Sequence, residues 1–249
     1  MLKKIILVLG LCASGLFAGT INVAVAANVS YAIDELIAKF NQSYPDTKVQ
    51  VNLSSTGKLT AQIRNGAPYG ILMGANMKYP EALYQDKFAI TKPVIYAQGS
   101  LAMLSSKEQD FTKGIALVDE DKINKIAVAN PKAAPYGKAA VEAIKNAGFL
   151  DKVQSKFVYA ESISQTVTYA TTAADIGFIA KSSLYSPKMK MYKKDVNWVD
   201  VDPKLYTPID QGIVILKKAE GDKEVKAFYD FILSPDAKAI FQEYGYLVP

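Results

Sequence analysis

The chain has 249 residues, 50% of them apolar and 21% charged, enough for one large domain or two smaller ones with cores of their own. It contains no histidine, which excludes a Ser-His-Asp triad, a histidine-ligated zinc and a histidine base. The net charge of +5 is almost all lysine dispersed among acids, and Arg64 is the only arginine, so no nucleic-acid partner is expected.

Residues 1–18 read as a secretory signal peptide. Lys3 and Lys4 make the basic start, Ile5 to Phe17 the short apolar stretch, and Ala18 the cleavage position. The stretch is too short to span a membrane, and no later one reaches that length, so the mature chain is expected in the periplasm as a soluble protein. Cys12, the only cysteine, lies inside this segment after Leu11, which is not the small residue that lipid attachment wants. The mature chain then has no disulfide and no thiolate chemistry.

Ile21, Val23 and Val25 alternate as a buried strand, and Ile33, Leu36, Ile37 and Phe40 follow with helical spacing. Between them stand small polar residues, of which Asn28 and Ser30 are expected to cap the helix. A strand that opens a helix this way points unpaired N–H groups and the positive end of the helix dipole at one spot, which favours an anion.

The pattern recurs. Val49, Val51 and Leu53 form a strand, Ser54, Ser55 and Thr56 the turn, and Leu59 and Ile63 mark the helix that Asn65 to Pro68 stops. Three hydroxyls before Gly57 exceed what one cap needs. Residues 71–75 read as a short strand, 79–88 as a helix, and 94–96 and 101–104 as strands around Gly99. A third occurrence has a strand at 125–129, a turn at 130–137 and a helix at 138–146, with Pro135 near a helix start that tolerates proline. A fourth has a strand at 157–159, then Glu161 and Ser162 leading into a helix from Ile163 to Thr172. Strands at 176–179 and 213–216 and helices at 224–233 and 235–245 complete the chain, while 185–205 reads as a loop with one short strand.

Alternating strands and helices specify α/β layers, whose ligands sit beyond the carboxyl ends of strands. A signal peptide, two α/β lobes and four donor-rich junctions together describe a solute-binding protein whose lobes close on a ligand by a hinge. The expected division is 19–97 plus 213–249 for lobe 1 and 98–212 for lobe 2.

Four stretches carry a family likeness: VAANVSYA at 25–32, SSTGKLTAQIRNGAP at 54–68, NPKAAPYG at 130–137 and AFYDFILSPDAKAIFQEYG at 227–245. Through them the chain resembles the periplasmic molybdate- and tungstate-binding proteins of ABC importers, from about residue 20 to its end. The resemblance implies a two-lobed periplasmic binding protein fold of type II kind, each lobe a mostly parallel sheet flanked by helices, with the ligand in the interlobe cleft. It implies an oxyanion held by Ala27 and Asn28 from the first junction, Ser55 and Thr56 from the second, the Tyr136 N–H from the third and the Ile163 N–H from the fourth. No cofactor, no direct metal ligation and no catalysis follow from it. The partner is the importer's membrane permease, and the protein is expected to be monomeric. The chain departs from relatives at Asn28, where many carry serine, at Ala180, where some carry a tyrosine hydroxyl, and at Tyr69-Gly70, where relatives often carry aspartate.

Other readings stand beside this one. A carrier of sulfate, or of tungstate alone, needs the same donors. An amino-acid carrier wants an arginine for the carboxylate, and Arg64 lies at the far end of its helix. An iron carrier would recruit some of the 15 tyrosines. A secreted hydrolase would need Ser54, Ser55 or Thr56 as nucleophile with Lys58 as base, a spacing that fits a helix start better.

Overall fold

The computed structural model describes residues 19–249; the signal peptide expected over 1–18, Cys12 included, lies outside the described residues. In chain order the first half holds β1 (Thr20–Ala26), α1 (Ile33–Asn41), β2 (Lys48–Ser54), α2 (Thr56–Arg64), β3 (Ile71–Met73), α3 (Lys78–Gln85) and β4 (Val94–Gly99). The second lobe follows with β5 (Leu101–Leu104), β6 (Ile126–Ala129), α4 (Pro135–Asn146), α5 (Leu150–Val153), β7 (Phe157–Ala160), α6 (Ile163–Thr172), β8 (Ile176–Ala180) and β9 (Trp198–Asp200). The chain then returns through β10 (Ile209–Ile215), α7 (Lys223–Ile232) and α8 (Pro235–Glu243).

Two five-stranded sheets result, in the orders β2-β1-β3-β10-β4 and β7-β6-β8-β5-β9. β1 pairs parallel with β2 and β3, and β6 with β7 and β8. Each sheet has one reversed strand, β10 in the first and β5 in the second. Those two strands are the ones that follow a passage from one sheet to the other, so the reversal marks the two crossings. Both lie next to the centre of their sheet, which ties each lobe to the chain that enters it. β4 stays in the first sheet through Gly99, and β10 joins it from Ile209.

The alternation legible in the sequence becomes two packed faces on each sheet. Ile21, Val23 and Val25 of β1 join Ile71 and Met73 of β3 and Ile213 and Ile215 of β10 under α1, α7 and α8. Ala24, Leu72 and Val214, one residue out of phase, pack under α2 with Leu59 and Ile63. In the second lobe Leu101 and Met103 pack with α4 residues such as Ala140 and Ile144. Ala102 and Leu104 face Val167 and Ala170 of α6. Each aliphatic side chain so buried contributes about 1.5–3 kcal/mol relative to exposure.

Two local expectations are corrected. Neither Asn28 nor Ser30 caps α1: a 3-10 turn at Ala27–Tyr31 intervenes, and α1 starts without a side-chain cap. Asn28 is instead drawn inward by buried partners from far along the chain. The helix expected from Lys138 begins at Pro135, because a proline fits the first helical position with its fixed φ and missing N–H. The short strand expected between 185 and 205 is β9, reached through two 3-10 turns at Lys181–Tyr185 and Pro187–Met189. Among the described residues no helix is long and apolar enough to cross a membrane.

Candidate functional site

The carboxyl ends of β1, β2, β6 and β7 all open onto one small, tightly closed cavity between the lobes. Its lining is Ala26, Ala27, Asn28, Ser55, Thr56, Ala75, Ala134, Pro135, Tyr136 and Ile163. The structure thus brings Ala27, Asn28, Ser55, Thr56, Tyr136 and Ile163, two from each of two lobe 1 junctions and one from each of two lobe 2 junctions, to the same place. None of the lining residues is charged. Ala26, Ala75 and Ala134 carry no signal of their own in the sequence; they are small residues that let backbone approach the centre, while Pro135 is the proline expected near the helix start.

Each junction presents donors for a local reason. Tyr136 is the second residue of α4 and Ile163 the first of α6, so their N–H groups fall in the first turn, where no helical acceptor exists. Ser162 caps α6 through its hydroxyl, which accepts from the Gln165 N–H at 3.3 Å and leaves the Ile163 N–H uncommitted by that cap. Ser55 occupies the N-cap position of α2 but makes no side-chain cap bond. Its buried Oγ has no hydrogen-bond partner among the described residues. The Thr56 hydroxyl oxygen accepts from the Ala75 N–H at 3.0 Å, which leaves its proton free to donate.

Asn28 is fully buried. Its Nδ2 donates to Gln211 Oε1 at 2.8 Å and to Tyr246 Oη at 3.0 Å, and its Oδ1 has no partner among the described residues. Its carbonyl accepts from the Tyr246 hydroxyl at 2.9 Å and from the Ser182 hydroxyl of lobe 2 at 3.2 Å. Tyr246 is set there by the chain's end, where Gln98 and Leu247 exchange backbone bonds of 2.7 and 3.0 Å. Sequence reasoning missed Gln211, Tyr96, Ser182 and Tyr246. A glutamine between Ile209 and Ile213 of a buried strand was the one available signal, since such a position rarely tolerates an unpartnered amide.

The lobes touch across the cleft. The Gly57 N–H donates to the Ala133 carbonyl at 2.9 Å, the Tyr79 hydroxyl to the Lys132 carbonyl at 3.3 Å, and Lys58 Nζ lies 2.7 Å from Glu161 Oε2. The Lys58 ammonium holds the exposed Glu161 carboxyl below the usual range, but a pair this exposed adds little stability. The same pairing uses Lys58 in a salt bridge rather than as a base beside Ser55 or Thr56.

Burial pushes the phenols of Tyr96 and Tyr136 well above the ordinary tyrosine value, with the neighbouring Tyr246 adding to it, and Tyr246 itself is raised by burial. These groups keep their protons more firmly folded than unfolded. Their contribution to stability is therefore complete below about pH 10, the unfolded tyrosine value, and is lost as pH rises toward their folded values. Urea denaturation followed across pH 7 to 11 should show a midpoint flat to about pH 9 and falling steeply above about pH 10. A midpoint unchanged to pH 11 would contradict the burial of these phenols. Among the described residues no three His, Cys, Asp or Glu side chains gather into a metal-ligating group.

The sequence model of the family described as bacterial extracellular solute-binding protein matches residues 21–247. The chain is 32% identical to the molybdate-binding protein ModA of Azotobacter vinelandii over 241 residues, 95% of this chain and 93% of that protein. It is also 32% identical to the molybdate-binding protein ModA of Rhodobacter capsulatus over 232 residues, 92% of this chain and 89% of that one. Among solved structures, the Azotobacter vinelandii periplasmic molybdate-binding protein superposes with a TM-score of 0.84 at 29% identity, covering 92% of this chain and 99% of that one.

Proposed function

Because this chain belongs to the bacterial extracellular solute-binding proteins, a transport family rather than an enzyme class, we propose that its cleft binds molybdate, and tungstate nearly as well, and delivers it to the membrane permease of an ABC importer. The protein would do this as a monomer in the periplasm, after removal of residues 1–18. Ala27, Asn28, Ser55, Thr56, Tyr136 and Ile163 hold the oxyanion by N–H and O–H donors, with no cofactor and no direct metal ligation. The two lobes, expected from the sequence as 19–97 with 213–249 and 98–212, divide instead after Gly99 and before Ile209, since β4 and β10 stay paired in the first sheet to those residues. They close on the ion by bending at these crossings.

The observation that carries this reading is the convergence of four strand-to-helix junctions on one buried, uncharged cavity. A doubly charged tetrahedral ion needs donors on every side, and a charge-assisted hydrogen bond contributes about 1.5–3 kcal/mol net in such a place. Lysines would bind any dianion; neutral donors at fixed positions select by size and shape. A backbone N–H cannot accept, so the protonated oxygen of hydrogen phosphate loses a bond wherever it faces the Tyr136 or Ile163 N–H. Molybdate and tungstate are nearly equal in size, whereas the smaller sulfate cannot reach all four junctions together.

Isothermal titration of the mature protein tests this. Molybdate and tungstate should bind within about tenfold of one another, and sulfate about a hundredfold weaker, the loss expected from two missed charge-assisted bonds. Sulfate binding as tightly as molybdate would overturn the selectivity, and no heat from any of the three would overturn the reading.

A further inference from the structure

Gln211 is fully buried in β10 and stands at an irregularity of the sheet. It pairs with Ala97 while the next residue, Gly212, pairs with Ile95, so Tyr96 of β4 has no partner in the ladder. Such a bulge re-aims side chains, and here the Tyr96 hydroxyl reaches Gln211 Oε1 at 2.8 Å. The same oxygen accepts from Asn28 Nδ2 at 2.8 Å, and Gln211 Nε2 donates to Tyr136 Oη at 3.2 Å. One amide thus touches β4, the first junction of lobe 1 and the first turn of α4 in lobe 2.

In this arrangement Asn28 spends both its N–H bonds on Gln211 and Tyr246, and its Oδ1 is the group left without a partner. Asn28 lines the cavity, and an amide oxygen facing an anion there would repel it. Half a turn of both amides about their terminal bonds exchanges oxygen for nitrogen and moves no other heavy atom. Gln211 Nε2 then donates to Asn28 Oδ1 and to Tyr96 Oη, and the Tyr96 proton passes to the Gly74 carbonyl, already 3.3 Å away. Tyr136 donates to Gln211 Oε1 over the same 3.2 Å. Tyr246 turns its one proton from the Asn28 carbonyl, which keeps the Ser182 hydroxyl at 3.2 Å, to Asn28 Oδ1 over 3.0 Å. Each of these buried groups is then satisfied, and the Asn28 N–H groups are released to the cavity. The phenols around the amides stay neutral, so orientation rather than charge is what this network controls.

We propose that Gln211 is a positioning residue of the anion site: its amide nitrogen, turned to Asn28, aims the Asn28 N–H groups at the bound oxyanion, and its oxygen ties that orientation to lobe 2 through Tyr136. The inference rests on the molybdate reading above. It assigns a role to a residue that touches no ligand, and it explains how an asparagine serves at a position where a hydroxyl would need no orienting partner.

The test combines titration with NMR of the mature protein labelled with ¹⁵N, the Asn28 side-chain signals being assigned by their loss in Asn28→Asp. In the unsubstituted protein, molybdate should move the Asn28 side-chain N–H signals downfield and slow their exchange. Gln211→Met should weaken molybdate about tenfold or more, as loss of one charge-assisted bond requires, and abolish that shift. Gln211→Glu, which offers Asn28 only acceptors, should bind more weakly still. A purely structural role would lower the melting temperature of the variants yet leave the Asn28 signals of the unsubstituted protein unmoved by molybdate, which overturns the proposal even if Gln211→Met fails to fold. Full affinity in Gln211→Met overturns it too. If the unsubstituted protein binds no molybdate at all, the functional reading fails first, so the two failures are told apart.

Discussion

Replacing Gly57 with leucine should weaken molybdate binding about a hundredfold while leaving the ligand-free protein as stable as before, or slightly more so. Gly57 lies in the first turn of α2, where its N–H donates to the Ala133 carbonyl across the cleft at 2.9 Å. A Cβ there would lie 2.9 Å from Tyr79 Oη and 3.0 Å from both the Cα and the carbonyl oxygen of Ala133. The alanine contacts are backbone of the other lobe and cannot turn aside. A leucine side chain is far larger than that gap, so the lobes must stay apart. Lobe 2 then withholds the donors proposed at Tyr136 and Ile163, two charge-assisted bonds worth about 3 kcal/mol or more together, hence the hundredfold.

Within lobe 1 the same substitution is benign. Gly57 has a helical backbone, and leucine is a better helix former than glycine by roughly 0.5–1 kcal/mol. Affinity and stability therefore move in opposite directions, which a damaged fold would not produce. Thermal unfolding with and without molybdate measures both at once: the unliganded midpoint should hold or rise, and the upward shift that ligand gives the unsubstituted protein should shrink. An unchanged Kd would show that the Gly57–Ala133 contact is absent from the bound state, and closure would need another explanation.

The features legible in the sequence are those written by neighbours. The two-residue alternation of Ile21, Val23 and Val25 and the helical spacing of Ile33, Leu36 and Phe40 are local, and both appear as expected in β1 and α1. Repetition of that unit four times made the convergence of junctions foreseeable, and the six residues singled out do line one cavity. What could not be read was set by distance along the chain. Asn28 bonds to residues 183 and 218 positions away, so a side chain that looks like a helix cap in its own neighbourhood is claimed by tertiary partners instead. α4 starts three residues before the expected Lys138 because Pro135 is the first residue of the helix rather than the last part of the turn before it. Gln211 is not legible as a partner because the apolar run of β10 starts at Ile213, past the irregularity that gives the glutamine its contacts.

The largest loss of stability should come from Gly137→Ala. Gly137 is the third residue of α4, and a Cβ on it would lie 1.9 Å from the Ala129 carbonyl oxygen and 2.6 Å from its carbon. The obstacle is backbone at the end of β6, the centre-left strand of the second sheet, so no rotamer relieves it. A helix can approach a strand end this closely only where the facing residue has no side chain, the same reason glycine recurs where a helix N-terminus must meet a ligand beyond a sheet. Accommodating the methyl requires α4 to back away from β6 through a core that includes Ala139, Ala140, Ala143 and Ile144. Overpacking of this kind costs typically 1–3 kcal/mol, and a clash with backbone places it at about 3 kcal/mol or beyond. The shift also carries the neighbouring Tyr136 N–H out of line with the cavity, so anion affinity falls even at temperatures where the variant is folded. Lys138→Ala, on the exposed face of the same helix, supplies the control and should stay within about 0.5 kcal/mol of the unsubstituted protein. Urea midpoints and molybdate titrations of the two variants decide the matter: a Gly137→Ala protein matching Lys138→Ala in both would mean that α4 does not sit against β6 as closely as its glycine demands.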